Sequence, residues 1–301
     1  MKMNKKHAWL LSMTLPLLAL GCQQGSPAPE TADAATEDAS TVVASPAIAD
    51  AQSPQVKQVA DSSWATLKGR FVFDGKAPER AKVNVTRDAE LCGKFDLRNE
   101  EVIVGPDGGI ANIFVWVSLK KKDRAKLRIH PDYEAEEDAT VRLTNKDCRY
   151  EPFGVVLRTG QKLELGNDDP VAHNVNLMFR SNTASNQIIP PGSSSTLDNV
   201  TKPEKLPAAA KCDIHPWMAG RVMVLDHPYA AVTAEDGTFE IKNLPAGEDL
   251  TFRIWHEKGY VQEVEIDGKP EKWKSGRLKE NLEGGETDLG DIVVNRKMFE
   301  K

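Results

Sequence analysis

Lys211-Cys212-Asp213-Ile214-His215-Pro216-Trp217-Met218 is the stretch from which the fold is read, together with Asn167-Asp168-Asp169-Pro170-Val171-Ala172-His173-Asn174 upstream of it. Between them these segments offer one thiolate, two imidazoles and one thioether. A trigonal copper site with a weak axial methionine uses that donor list. Soft sulfur retains Cu(I) while imidazole keeps Cu(II) bound, so such a site can change oxidation state without losing its metal. Three donors on one short loop between strands can converge on an ion from one side. His173, at the end of another strand, closes the set from within a β-sandwich.

Outward from this core, Trp64 onward carries short apolar and alternating runs broken by Gly, Pro, Asn and Asp: Lys68–Phe73, Ile110–Leu119, Thr140–Thr144, Phe153–Leu157, Lys162–Leu165, Val175–Phe179, Gly220–Leu225, Thr238–Lys242, Leu250–Trp255 and Asp288–Val294. Turn pairs such as Asp74-Gly75, Asp107-Gly108, Asp236-Gly237 and Asp267-Gly268 lie between them. This punctuation predicts an all-β chain of sandwiches, with one weak helix near 272–282.

Residues 139–227 resemble the cupredoxin family: Tyr150-Glu151-Pro152, the Gly160 turn, Asn167-Asp168-Asp169, His173, then the Cys-x2-His-x2-Met loop, which is most similar to that of the amicyanins. The resemblance implies a Greek-key sandwich with one type 1 copper. Its in-plane ligands would be His173, Cys212 and His215, and its axial ligand Met218. It further implies that His215 shows one ring edge to solvent beside Trp217. Pro216 and Trp217 would stiffen the loop, and Asn174 would bridge the two loops by a hydrogen bond. Structural zinc or an empty site is the alternative, but structural zinc sites usually pair Cys or His at short spacing, and no second pair exists. Met178 and Met223 are spare thioethers, Met223 being read as core. His130, His227 and His256 are read as surface or turn residues. Six histidines in all are too few for a multicopper enzyme, so no enzymatic activity is expected.

Residues 228–301 carry a second resemblance, in Ala231-Val232-Thr233-Ala234-Glu235-Asp236-Gly237-Thr238-Phe239-Glu240-Ile241 and Asn243-Leu244-Pro245-Ala246-Gly247. They look like the transthyretin-like sandwiches called carboxypeptidase regulatory-like domains, and like the accessory sandwich of rhamnogalacturonan lyases. Gly69–Pro78, within an N-terminal β segment at 63–138, resembles the opening strand and turn of the same class. The cupredoxin-like segment is therefore expected to interrupt one sandwich built from both ends; three domains in series is the alternative.

The N-terminal residues read as targeting. Lys2, Lys5 and Lys6 precede an apolar run from Ala8 to Leu20, too short to span a bilayer. Ala19-Leu20-Gly21-Cys22 resembles the lipobox of bacterial lipoproteins, which implies a signal peptide at 1–21 and a lipid on Cys22; a plain secretory signal is the alternative. Residues 22–62, rich in Ala, Ser, Thr, Pro and acid, read as a disordered tether of about 35 Å root-mean-square length. Losing three lysines leaves 36 basic against 45 acidic residues, net −9. That balance argues against nucleic acid as a partner. Setting Cys22 and Cys212 aside leaves Cys92 and Cys148 free to pair.

These readings combine into a lipid-anchored, periplasmic or otherwise extracytoplasmic monomer that passes electrons to a redox protein, with Gln23 after Cys22 favouring the outer membrane. Copper storage or delivery is one alternative. A structural or carbohydrate-binding surface lipoprotein with a vestigial cupredoxin is another.

Overall fold

The computed structural model describes residues 62–300. The readings on residues 1–21 and Cys22, and nearly all of the expected tether, lie outside these residues. Among the described residues no helix is long and apolar enough to cross a membrane.

The architecture is all-β, as expected, and its four sheets form two sandwiches. Strand Trp64–Phe73 alternates half-buried and buried residues along its whole length, the period-two signature of a half-buried strand. It pairs antiparallel with Thr238–Pro245 and parallel with Gly285–Val294. Glu263–Ile266 and Lys269–Lys272 complete that first sheet. The second sheet runs Ala230–Val232, Phe114–Val117, Asp249–His256, Gly259–Tyr260, with Arg277–Asn281 also paired to Asp249–His256. Leu67, Phe71 and Ile292 from the first sheet meet Val115, Val117, Phe252 and Ile254 from the second in one core.

Residues 140–225, inserted between strands of this sandwich, form the second one. Its third sheet is Gly154–Arg158, Ala219–Leu225, Ala208–Lys211, His173–Met178 and Ser185–Ile189. The fourth is Arg149–Glu151, Thr140–Lys146, Lys162–Asn167 and Ser194–Leu197. Leu143, Leu163 and Leu165 face Val175, Leu177, Val222 and Val224 across the core.

Strands Phe114–Val117 and Ala219–Leu225 explain how the sandwiches join. Both read as nearly unbroken apolar runs, because both of their faces are covered. Val222 and Val224 point into the second sandwich, whereas Met223 and Leu225 point outward to meet Phe114, Trp116 and Trp255. Each of these five side chains contributes roughly 1.5–3 kcal/mol by burial. Gly154 sits where a Cβ would come within 2.7 Å of Phe114 Cζ, so the close approach of the sandwiches requires glycine there. Arg221 reaches across to pair with Glu257, its guanidinium 5.9 Å from the Trp255 ring. Met223 is therefore core, as read from the sequence, while Met178 is exposed at a strand end.

Three expectations are corrected. The helix near 272–282 is instead the strand Arg277–Asn281 following a turn, because its alternating Leu278 is drawn into the first core. The one α-helix among the described residues is Ala89–Cys92. His227 and His256 are not surface residues: both are buried, at 3% and 1% exposure. Each uses Nδ1 to accept a backbone N–H two residues on, His227 from Tyr229 and His256 from Lys258, which lets a ring close a turn beneath the surface. Burial pushes both imidazoles down to about 4.

Candidate metal centre

The loop after Ala208–Lys211 and the start of His173–Met178 lie side by side in the third sheet, with Lys211 opposite Asn176. This register sets Cys212 beside His173. Donor atoms of His173, Cys212 and His215 all lie within 4.8 Å of one another, and all three residues are buried. Cys212 Sγ is 3.7 Å from His215 Nδ1 and accepts the His215 backbone N–H at 3.3 Å. The two imidazole rings sit 4.4 Å apart. The loop is folded on itself by Met218 N–H donating to the His215 carbonyl at 2.9 Å. Met218 is buried in the same cluster as Cys212.

Electrostatics fit a cation. Burial alone would push the Cys212 thiol up, but the His173 and His215 imidazoles beside the sulfur outweigh it and hold the group down at about 6. Burial likewise pushes His173 down, and the hydrogen bond to Asp169 reverses this, leaving it raised. His173 Nδ1 is the informative atom: it is buried and has no hydrogen-bond partner. An orphaned buried nitrogen is costly unless something is to bind it. Its Nε2 is held 2.9 Å from Asp169 Oδ2, so Nδ1 is the nitrogen left free.

Asp169 is itself fixed. The turn between Thr140–Lys146 and Arg149–Glu151 has Asp147 and Cys148 both at positive φ, 52° and 56°, as a tight two-residue hairpin requires. Their backbone N–H groups donate to the Asp169 carboxylate at 2.8 and 2.9 Å. Asn174 spans the two loops: its Oδ1 accepts the Asp213 and Ile214 backbone N–H at 2.7 and 3.2 Å and lies 3.4 Å from Cys212 Sγ. Its Nδ2 donates to Asn186 and Asp213.

A segment from outside the second sandwich covers the site. Residues 79–101 leave the first sheet, are closed on themselves by Val83 N–H to the Leu97 carbonyl and Asn99 N–H to the Ala81 carbonyl, and carry the short helix. Cys92 bonds Cys148. Leu97, Phe95, Val83 and Trp217 pack around this disulfide. Trp217 donates its indole N–H to the Cys148 carbonyl at 3.1 Å and lies 5.1 Å from the His215 ring. Pro216 is exposed.

This cover overturns one expectation. His215 shows no ring edge to solvent: its exposure is 0%, and Nε2 lies 2.8 Å from Asp88 Oδ2. The sequence gives no sign of that contact, since 127 residues separate the partners. Asp169 was within reach of reading, standing four residues before His173, but only the folded turn shows what it holds.

No family model matches the chain, and no curated protein matches it. Similar solved structures include an amicyanin variant, 20% identical over 29% of this chain and 84% of that one, with a TM-score of 0.26. A purple cupredoxin from Nitrosopumilus maritimus is 21% identical over 29% of this chain and all of its own, with a TM-score of 0.24. A copper-containing nitrite reductase from Thermus scotoductus is 18% identical, with a TM-score of 0.27 over 29% of this chain and 22% of that one. Likenesses of this size say nothing of function.

Proposed function

We propose that the chain binds one copper ion, which His173, Cys212 and His215 would hold with Met218 as a further donor, and carries single electrons without catalysing a reaction. The observation that carries this reading is the unpartnered Nδ1 of buried His173, in one cluster with Cys212 and His215. Copper bound there would supply a one-electron couple. The residues do the rest. Cys212 is held as thiolate, Asn174 ties the Cys212 loop to the His173 strand, and the buried sandwich keeps water out. Two packed sheets fix donor positions, so the site changes little between oxidation states. Storage or delivery calls for an open, exchangeable site; burial of all three donors and the cover over His215 weigh against it.

The remaining elements of the proposal follow the sequence. The first sandwich would be an accessory, partner-facing module of the carboxypeptidase regulatory-like kind. The lipobox-like Ala19-Leu20-Gly21-Cys22 supports export and a lipid on Cys22, with the folded unit held outside the cytoplasm, at the outer membrane by preference, where it would meet a redox protein. An absorption and EPR spectrum of the copper-loaded chain tests the centre. An intense thiolate-to-copper band that vanishes in Cys212→Ser supports it; colourless protein or ordinary tetragonal copper refutes it.

A further inference from the structure

The imidazoles of His173 and His215 use the same device. Each directs Nδ1 at the donor cluster and sets Nε2 against a carboxylate: His173 on Asp169 at 2.9 Å, His215 on Asp88 at 2.8 Å. Asp169 belongs to the second sandwich, four residues from its histidine. Asp88 does not; it is brought by the 79–101 cover, which the Cys92–Cys148 bond fastens over the site.

The local structure around Asp88 departs from habit in two ways. It is the N-cap of the Ala89–Cys92 helix, where an aspartate ordinarily turns its carboxylate back to the helix N–H groups. Here the side chain makes no capping bond. Its backbone also adopts φ 45°, ψ 42°, a left-handed conformation that costs energy for a residue with a Cβ. Both departures direct the carboxylate at His215 Nε2.

A carboxylate behind a metal-bound imidazole fixes its tautomer and strengthens its donor nitrogen. Added negative charge stabilises a dication more than a monocation. We infer that Asp88 is a positioning residue for His215: the cover completes the metal centre from a distant part of the chain and biases bound copper towards Cu(II). This rests on the copper reading above, and it accounts for the closed ring edge: the position that would face solvent is given to tuning the ligand.

Asp88→Asn is the test in the full chain. Asparagine tolerates the left-handed backbone and keeps the size, so the cover should stay closed. Loss of such a partner costs about 10- to 100-fold in metal affinity. If that loss falls on the oxidised form alone, the reduction potential rises by about 59–118 mV, at about 59 mV per tenfold for one electron. Zinc titration of the same variant, with no redox chemistry, should show the same roughly tenfold or greater weakening for a redox-inert dication. Nitrogen NMR of the metal-free chain should show His215 leaving the single Nε2–H tautomer. An unchanged zinc affinity, or a potential that does not move while the thiolate-to-copper band persists, overturns the inference and leaves Asp88 as a packing residue of the cover. If native protein shows no such band, the copper reading fails, and zinc affinity in native and variant chains still decides the role of Asp88.

Discussion

Removing the disulfide by Cys92→Ser with Cys148→Ser separates what the cover contributes to stability from what it contributes to the metal. The bond closes a loop of 56 residues. Chain entropy for a loop of that size is about 14 cal/mol/K, hence about 4 kcal/mol at 25 °C. For a domain of this size each kcal/mol shifts the melting temperature by about 2–4 °C, so the metal-free double variant should melt roughly 8–16 °C lower. The sulfurs are also packed among Leu97, Val83 and Phe95, so serine at both sites leaves polar groups in an apolar cluster and adds to the loss. Calorimetry of the metal-free chain measures the total, and amide hydrogen exchange locates it. Protection should fall first at the Val83 and Asn99 amides, which donate to the Leu97 and Ala81 carbonyls and hold the cover closed. A drop under about 2 °C with those amides still protected would refute the reasoning, because the cover would then be held without its covalent tie.

Gly154→Ala forces a methyl against Phe114 and should destabilise the chain by about 1–3 kcal/mol, read from the denaturant midpoint. An unchanged midpoint would mean that the seam is loosely packed. His227 and His256 titrate at about 4 in the fold, below the value of about 6.5 for an unfolded chain. The unfolded chain therefore binds more protons across that window, and stability should fall as pH drops from about 6.5 to about 4, then level off for these groups. Acid unfolding of His227→Gln, shifted to lower pH than native, checks this; a coincident curve contradicts it. In metal-free protein the thiolate absorbance of Cys212 should appear with a midpoint near pH 6 and be absent from Cys212→Ser. A midpoint near the free-thiol value of about 8.5 would show that the imidazoles do not hold the sulfur.

The sequence disclosed what local pattern controls. Period-two runs found the strands, and the Cys-x2-His-x2-Met spacing found donors that lie on one loop. It did not disclose what depends on two faces or on distant contacts. Leu278 sits in a stretch whose charged neighbours look helical, and only the first core explains why it is a strand. His227 opens a turn, as its neighbours in sequence suggest, and His256 ends the strand Asp249–His256, but nothing local announces that both are buried. Asp88 has no motif at all, since its meaning arises only when the cover folds back on His215.

Strand Trp64–Phe73 lies in register beside Gly285–Val294, Ala65 facing Gly285. The first of the described strands to leave a ribosome thus waits for the last of them. Residues 140–225 have all of their sheet partners within their own span and can close while the C-terminal strands are still unmade. Trp64–Phe73 cannot: Phe71 and Phe73 bond Ile110 and Gly108 early, but along the rest of the strand both hydrogen-bonding edges stay open until Thr238–Pro245 and Gly285–Val294 arrive. Truncation just short of Gly285 should therefore leave the donor cluster able to assemble inside a chain that aggregates through its opening strand.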